Sequence, residues 1–203
     1  LLAIAFLWLL LGSSSSAQSA AGAGQSSLFD YDLDGYLDAA VVMRQPSGAI
    51  IMRNDGTGDL NSTKFLPWNG TDDVATGDFN GDGWKDVAVG SGEGFAVFAS
   101  NAGAFTQTPW KTLDVSVRCL GVLDLGKDGK DELAVSSPGG VSFYEFSGPS
   151  PAVKVSIPQL TNVEFAISDL NSDGNPDIAA ASNKLEVFLA TSSSVFASAA
   201  DSC

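Results

Sequence analysis

Four segments of the chain align with one another without gaps: FDYDLDGYLDAAVV from Phe29, GDFNGDGWKDVAVG from Gly77, LDLGKDGKDELAVS from Leu123 and SDLNSDGNPDIAAA from Ser168. Their first aspartates, Asp30, Asp78, Asp124 and Asp169, are spaced by 48, 46 and 45 residues. Self-similarity at a steady period constrains a fold more than any local propensity. A unit of this size cannot bury its apolar face alone and must stack on its neighbours.

The pattern inside each unit sets its shape. An apolar run of small and branched residues follows each acidic segment (AAVVM, VAVG, LAVS, IAAA), then a turn, then a second run (AIIMR, FAVFA, VSFYEF, LEVFLA). A third run follows (KFLPW, AFTQ, AVKVSI, VFAS), and a last one (VATGD, VSVRCLGVLD, EFAISD) enters the next acidic segment. Each run is short and bounded by turn formers, with no sustained helical period. The fold class expected is all-β: a β-propeller, or part of one, of about four four-stranded blades over residues 28–203, with repeats starting near 28, 75, 121 and 166.

Each acidic segment reads Asp-x-(Asp/Asn/Gly)-x-Asp-Gly-x-x-(Asp/Glu). Oxygen ligands at positions 1, 3 and 5 of a tight loop converge on a common centre, and glycine at position 6 permits the sharp turn. Calcium is the cation that such a cage fits, being hard and tolerant of irregular oxygen geometry, whereas magnesium demands a stricter octahedron. Soft metals find no histidine and only two cysteines. The competing reading is a plain turn, since Asp, Asn and Gly favour turns without any ion. Four such loops in register weigh against it.

The first six positions look like an EF-hand, but position 12 carries Val41, Val89, Val135 and Ala180 where a bidentate glutamate is needed. The loop closes instead at position 9 and runs straight into a strand. In these features the chain resembles the FG-GAP or VCBS repeats of integrin α-subunit propellers and of many secreted propeller proteins, from about Leu28 to Ala199. The resemblance implies a calcium ion between the first two strands of each blade, held by side chains at positions 1, 3, 5 and 9 and the carbonyl at position 7. Carried over, the ligands are Asp30, Asp32, Asp34, Tyr36 and Asp38; Asp78, Asn80, Asp82, Trp84 and Asp86; and Asp169, Asn171, Asp173, Asn175 and Asp177. The third copy departs from the pattern. Gly126 replaces the position-3 ligand, leaving Asp124, Asp128, the Lys130 carbonyl and Glu132, and this site is expected to be the weakest or empty.

The chain of 203 residues has 24 acidic and 10 basic side chains, for a net charge of −14. That balance argues against a nucleic-acid partner, which needs a basic face. Thirteen of the acidic residues fall at ligand positions, and four divalent ions would bring the net charge to about −6, ordinary for a soluble domain.

Residues 1–17 read as a signal peptide: Leu1–Leu11 is apolar, too short to span a bilayer, and small residues follow it. No methionine precedes Leu1, so the first few residues of the natural chain are expected to be missing. Residues 18–27 read as a flexible lead-in. The sequons at Asn61 and Asn69 suit a secretory route, and a membrane role would arise only if the first segment stayed as an anchor. Cys119 sits in an apolar stretch and reads as a buried free thiol, with pairing to Cys203 or to a partner chain the alternative.

Without histidine there is no Ser-His-Asp or Cys-His centre, and no phosphate-cradling glycine loop is present, so no enzyme is expected within these residues. The leading expectation is a secreted or cell-surface calcium-binding module for protein interaction, adhesion or extracellular structure, with an extracellular protein or glycan as partner. The alternative is a calcium-dependent, lectin-like propeller, for which Trp68, Trp84 and Trp110 are candidate platforms, although blade packing explains each of them as well. An accessory domain of a secreted hydrolase or lyase ranks third. A fragment of a longer ring, a compact four-bladed ring and an arc completed by another chain or copy through open blade edges all fit four units.

Overall fold

The computed structural model describes residues 26–192 and 195–198. Four antiparallel sheets of four strands follow one another along the chain, and no helix occurs among the described residues. Blade 1 is β1 (Ser26–Phe29), β2 (Asp38–Arg44), β3 (Ser47–Asn54) and β4 (Leu60–Pro67). Blade 2 begins with β5 (Thr71–Gly77), β6 (Asp86–Ser91) and β7 (Phe95–Phe98); β8 (Ser100–Asn101) and β9 (Ala104–Phe105) then form a small hairpin, and β10 (Lys111–Leu113) returns to the blade as its edge. Blade 3 is β11 (Cys119–Leu123), β12 (Glu132–Ser137), β13 (Gly140–Glu145) and β14 (Ala152–Ile157). Blade 4 is β15 (Glu164–Ser168), β16 (Asp177–Ala181), β17 (Leu185–Ser192) and β18 (Val195–Ser198).

Two local expectations are corrected. The AFTQ run does not form the edge of blade 2: Ala104 and Phe105 pair with Asn101 and Ser100, and Lys111–Leu113 takes the edge against Val97 to Phe95. Phe105 is thereby free to pack into the apolar layer between blades 1 and 2. The lead-in ends earlier than residue 27, because Ser26 and Ser27 already pair with Val41 and Ala40. Serine-rich composition suggests a linker, yet Ser27 is buried and its hydroxyl meets Thr76 Oγ1 at 2.8 Å across the blades. The proposed signal segment lies outside the described residues.

The period-two rule of a strand explains the stacking. Val87 and Val89 of β6 pack towards blade 1, Leu133 and Val135 of β12 towards blade 2, and Ile178 and Ala180 of β16 towards blade 3. The alternate residue of each second strand faces the next blade, and there it is alanine: Ala40, Ala88 and Ala134. Three apolar layers result, one per joint, so both faces of the inner blades are buried. Small residues let the backbones close up. A Cβ on Gly121 would lie 2.6 Å from the Phe165 ring, and one on Gly77 would lie 2.6 Å from Val122.

One joint also carries a buried carboxyl. Asp73, 4% exposed, accepts from Leu120 N across blades 2 and 3 at 2.7 Å, and from Val74 N at 2.8 Å. Burial pushes this carboxyl up to about 7, with Glu164 and Asp72 adding to the rise. The folded chain therefore favours the protonated form. The stabilisation from Asp73 is full below the ordinary carboxyl value of 3.8 and is lost as pH rises through about 7. Asp73→Ala should be less stable than the parent by about 1–2 kcal/mol at pH 5, with the gap narrowing by pH 8. Urea unfolding at the two pH values measures this, and an equal gap at both would contradict it.

Candidate metal centres

The acidic segments are the loops between the first and second strands of the blades, residues 30–37, 78–85, 124–131 and 169–176. Their internal hydrogen bonds repeat. The position-1 carboxylate accepts at one oxygen from the position-5 amide, 3.1 Å in every loop (Asp34, Asp82, Asp128 and Asp173 donating). Its other oxygen accepts from the glycine at position 6, at 2.8–2.9 Å. The position-5 carboxylate accepts in turn from the amide of position 7 (Tyr36, Trp84, Lys130 and Asn175). Gly35, Gly83, Gly129 and Gly174 lie at φ between 82° and 91°, as the turn requires. Position 4 is left-handed too, in Leu33, Gly81, Lys127 and Ser172.

Position 9 closes the loop from below. Asp38, Asp86, Glu132 and Asp177 are buried, and each accepts from the amide of position 2 (Tyr31, Phe79, Leu125 and Leu170). In three blades the second oxygen accepts from an amide on the third strand or just beyond it, Asn54, Ser100 or Ala190, at 2.8 Å. This carboxylate therefore ties three strands together. Burial pushes Asp86 up to about 7 and Asp38 above its usual value, the backbone donors pulling the other way. A divalent cation in the loop would reverse that push.

The loops differ in their surplus oxygens. In the first, one oxygen each of Asp30, Asp32 and Asp38 lies within 4.8 Å of the others, the sole such three-carboxylate group among the described residues. Asp32 Oδ1 is buried there with no hydrogen-bond partner, while Arg53 takes the other oxygen of Asp32 and Oδ2 of Asp34. In the second and fourth loops Asn80 and Asn171 each reach the position-5 carboxylate at 3.0 Å. In the third, Gly126 offers no side chain, and Glu132 Oε1 meets Lys154 Nζ at 2.5 Å. Burial raises the Glu132 carboxyl despite that partner.

The FG-GAP-like repeat model matches this sequence twice, over residues 30–89 and 78–135, together more than half of the chain. The chain belongs to the FG-GAP-like repeat family. Among solved structures, the FG-GAP array is similar to a lectin from Agrocybe aegerita that recognises non-reducing terminal N-acetylglucosamine, at 17% identity and TM-score 0.58, over 85% of this chain and 50% of the lectin. It is also similar to BBS1N in complex with ARL6DN, at 11% identity and TM-score 0.61, over 90% of this chain and 57% of that one. Both likenesses concern the fold, and the chain spans about half the length of either structure. No curated protein sequence matches.

The second and third FG-GAP loops are bonded to each other as well as within themselves. Asp131 N donates to Asp78 O at 2.9 Å, Asp78 N donates to Asp131 Oδ2 at 2.7 Å, and Lys85 Nζ joins the same carboxylate at 2.9 Å. All four loops border one groove of about 770 Å³, with Leu28, Thr76, Val122 and Ile167 of the first strands along it. Sequence reading missed Arg53 and Lys154, which stand 21 and 22 residues after the carboxylates they meet. A basic residue inside or ending an apolar run is the signal that could have found them. Asn61 and Asn69 are both exposed. Of the candidate tryptophans, Trp68 packs on the layer between blades 1 and 2 and Trp84 is half-buried. Trp110 lies 6.0 Å from the Phe146 ring with Lys111 Nζ 4.9 Å over its own. Cys119 is buried with no disulfide partner among the described residues, Cys203 lying outside them, and burial pushes its thiol up to about 12.

Proposed function

We propose that this chain is a calcium-stabilised extracellular interaction module, in which bound ions stiffen the loop rim and the rim presents the binding surface. The observation that carries the calcium reading is the buried, unpartnered Asp32 Oδ1 beside Asp30 and Asp38. Arg53 covers Oδ2 of Asp32 and Oδ2 of Asp34, but Asp32 Oδ1 stays orphaned in a cluster of like charges, which is costly unless a further cation sits with it. In the first loop Asp30, Asp32, Asp34, Asp38 and the Tyr36 carbonyl would hold the ion; in the second and fourth, Asn80 and Asn171 take the place of Asp32. The ion would neutralise the carboxylates and replace their mutual repulsion with a common ligand.

Calcium titration of the full chain tests this. Heat should be released over several equivalents, and Asp32→Ala should remove one of them. A flat isotherm would end the calcium reading.

Rigid loops gathered at one groove mouth favour a macromolecular partner, since recognition resides in loops held by a stiff scaffold. The half-buried Val41, Ile50 and Met52 on the outer side of blade 1 offer a further contact face, as self-assembly would require. The second reading, a glycan-binding propeller, draws on the likeness to the Agrocybe lectin. The indole of Trp110 is engaged by Phe146 and Lys111, which weakens it as a sugar platform. Glycan-array signals abolished by chelator would favour this second reading.

A further inference from the structure

We propose that the third loop is closed by the Lys154 ammonium, a cation carried by the chain itself, in place of the calcium ion assigned to the other three. The contrast with those loops rests on the calcium reading above; the clamp does not.

Three departures from the repeat coincide at this one loop. Position 3 is Gly126, and a Cβ there would start 3.2 Å from Lys154 Nζ, so the ammonium fills the space in which the other loops place a ligand side chain. Position 9 is glutamate, one methylene longer than the aspartate of the other loops. Its Oε2 keeps the usual amide, Leu125 N at 2.7 Å, while Oε1 reaches Lys154 at 2.5 Å where the aspartates accept a third-strand amide. The third departure is the residue that the edge-strand bulge carries: blade 1 has the same bulge, with Thr63 as the extra residue between Lys64 opposite Ile51 and Ser62 opposite Met52. Val155 pairs with Phe143 and Val153 with Tyr144, leaving Lys154 as the extra residue of a β-bulge. A bulge re-aims a side chain, and here it delivers one positive charge to a glutamate that is 3% exposed.

A tethered ammonium differs from a bound ion in two ways. It needs no free calcium, and it accepts no carbonyl or water oxygens as extra ligands beyond its three donors. The third loop also anchors a neighbour, through the bonds of Asp131 to Asp78 and Lys85. The joint between blades 2 and 3 is thus held by a loop whose shape does not follow calcium concentration.

Hydrogen exchange of the full chain, in EDTA and in millimolar calcium, tests the assignment. Calcium should slow the amides of Gly35, Gly83 and Gly174 and leave Gly129 unchanged. Lys154→Met strands a buried carboxylate and should speed exchange at Leu125 and Gly129 by about tenfold or more in EDTA. The double variant Gly126→Asp, Lys154→Met should bring calcium-dependent protection to Gly129. Slowing of Gly129 by calcium in the parent, to the same extent as Gly35, would overturn the proposal; so would Lys154→Met with unchanged exchange at Leu125 and Gly129. Should Lys154→Met fail to fold, the parent's response to calcium decides. Should no loop respond to calcium, the metal reading fails while the variant still decides the clamp.

Discussion

Removal of calcium should lower the melting temperature by on the order of 20 °C. A ligand that binds only the folded chain adds about 2.7 kcal/mol at a hundredfold excess over its Kd, so three filled loops add about 8 kcal/mol. For a domain of this size each kcal/mol moves the midpoint by about 2–4 °C. The structural reason lies in the loop geometry. Each loop gathers carboxylates at positions 1, 5 and 9, all held in place by backbone amides, so they cannot separate to relieve repulsion without breaking those bonds. Without an ion the loops should open more readily. Melting followed by circular dichroism in EDTA and in millimolar calcium measures the effect. Superimposable curves would rule it out.

The second large effect is expected at the centre of the array. Phe95 is fully buried, 5.3 Å from the Tyr144 ring and 6.4 Å from that of Phe146, in the layer that joins blades 2 and 3. Phe95→Ala removes a ring that both blades share. The cavity is flanked by sheets that cannot collapse independently, so the cost should be about 3–5 kcal/mol. Trp110→Ala, at a half-exposed site on the rim of the same aromatic cluster, should cost clearly less. Denaturant unfolding of both variants tests the order; equal losses would mean that the joint does not behave as one packed layer.

The repeat made the architecture legible before any coordinates. Period, turn residues and alternation predicted about four strands per unit around each acidic loop, and the family resemblance set that loop between the first two strands of a blade, where it lies. Legibility failed where structure depends on register. Alternation cannot show that Ala104 and Phe105 leave blade 2 for a hairpin, because a two-residue pairing has no period to read. Nor can it place Lys154, whose direction is set by a bulge rather than by its parity in AVKVSI. Position 9 was legible as a carboxylate, but its tie to Asn54, Ser100 or Ala190 crosses a whole hairpin and leaves no local mark. The left-handed backbone at Leu33, Lys127 and Ser172 was hidden for a similar reason: the loop's hydrogen bonds impose it on residues that do not favour it.

The joints between blades have a polarity. Every one presses the alanine side of one second strand, at Ala40, Ala88 or Ala134, against the bulkier side of the next, at Val87, Leu133 or Ile178. Front and back are thus complementary but not alike, and each inner blade carries one of each. Copy number is then not encoded in any single interface. Duplication or loss of one whole unit, some 45 residues in frame, would leave the apolar joints of the same kind, so that arrays of this type can change length in evolution by gene-level addition without inventing a new packing surface.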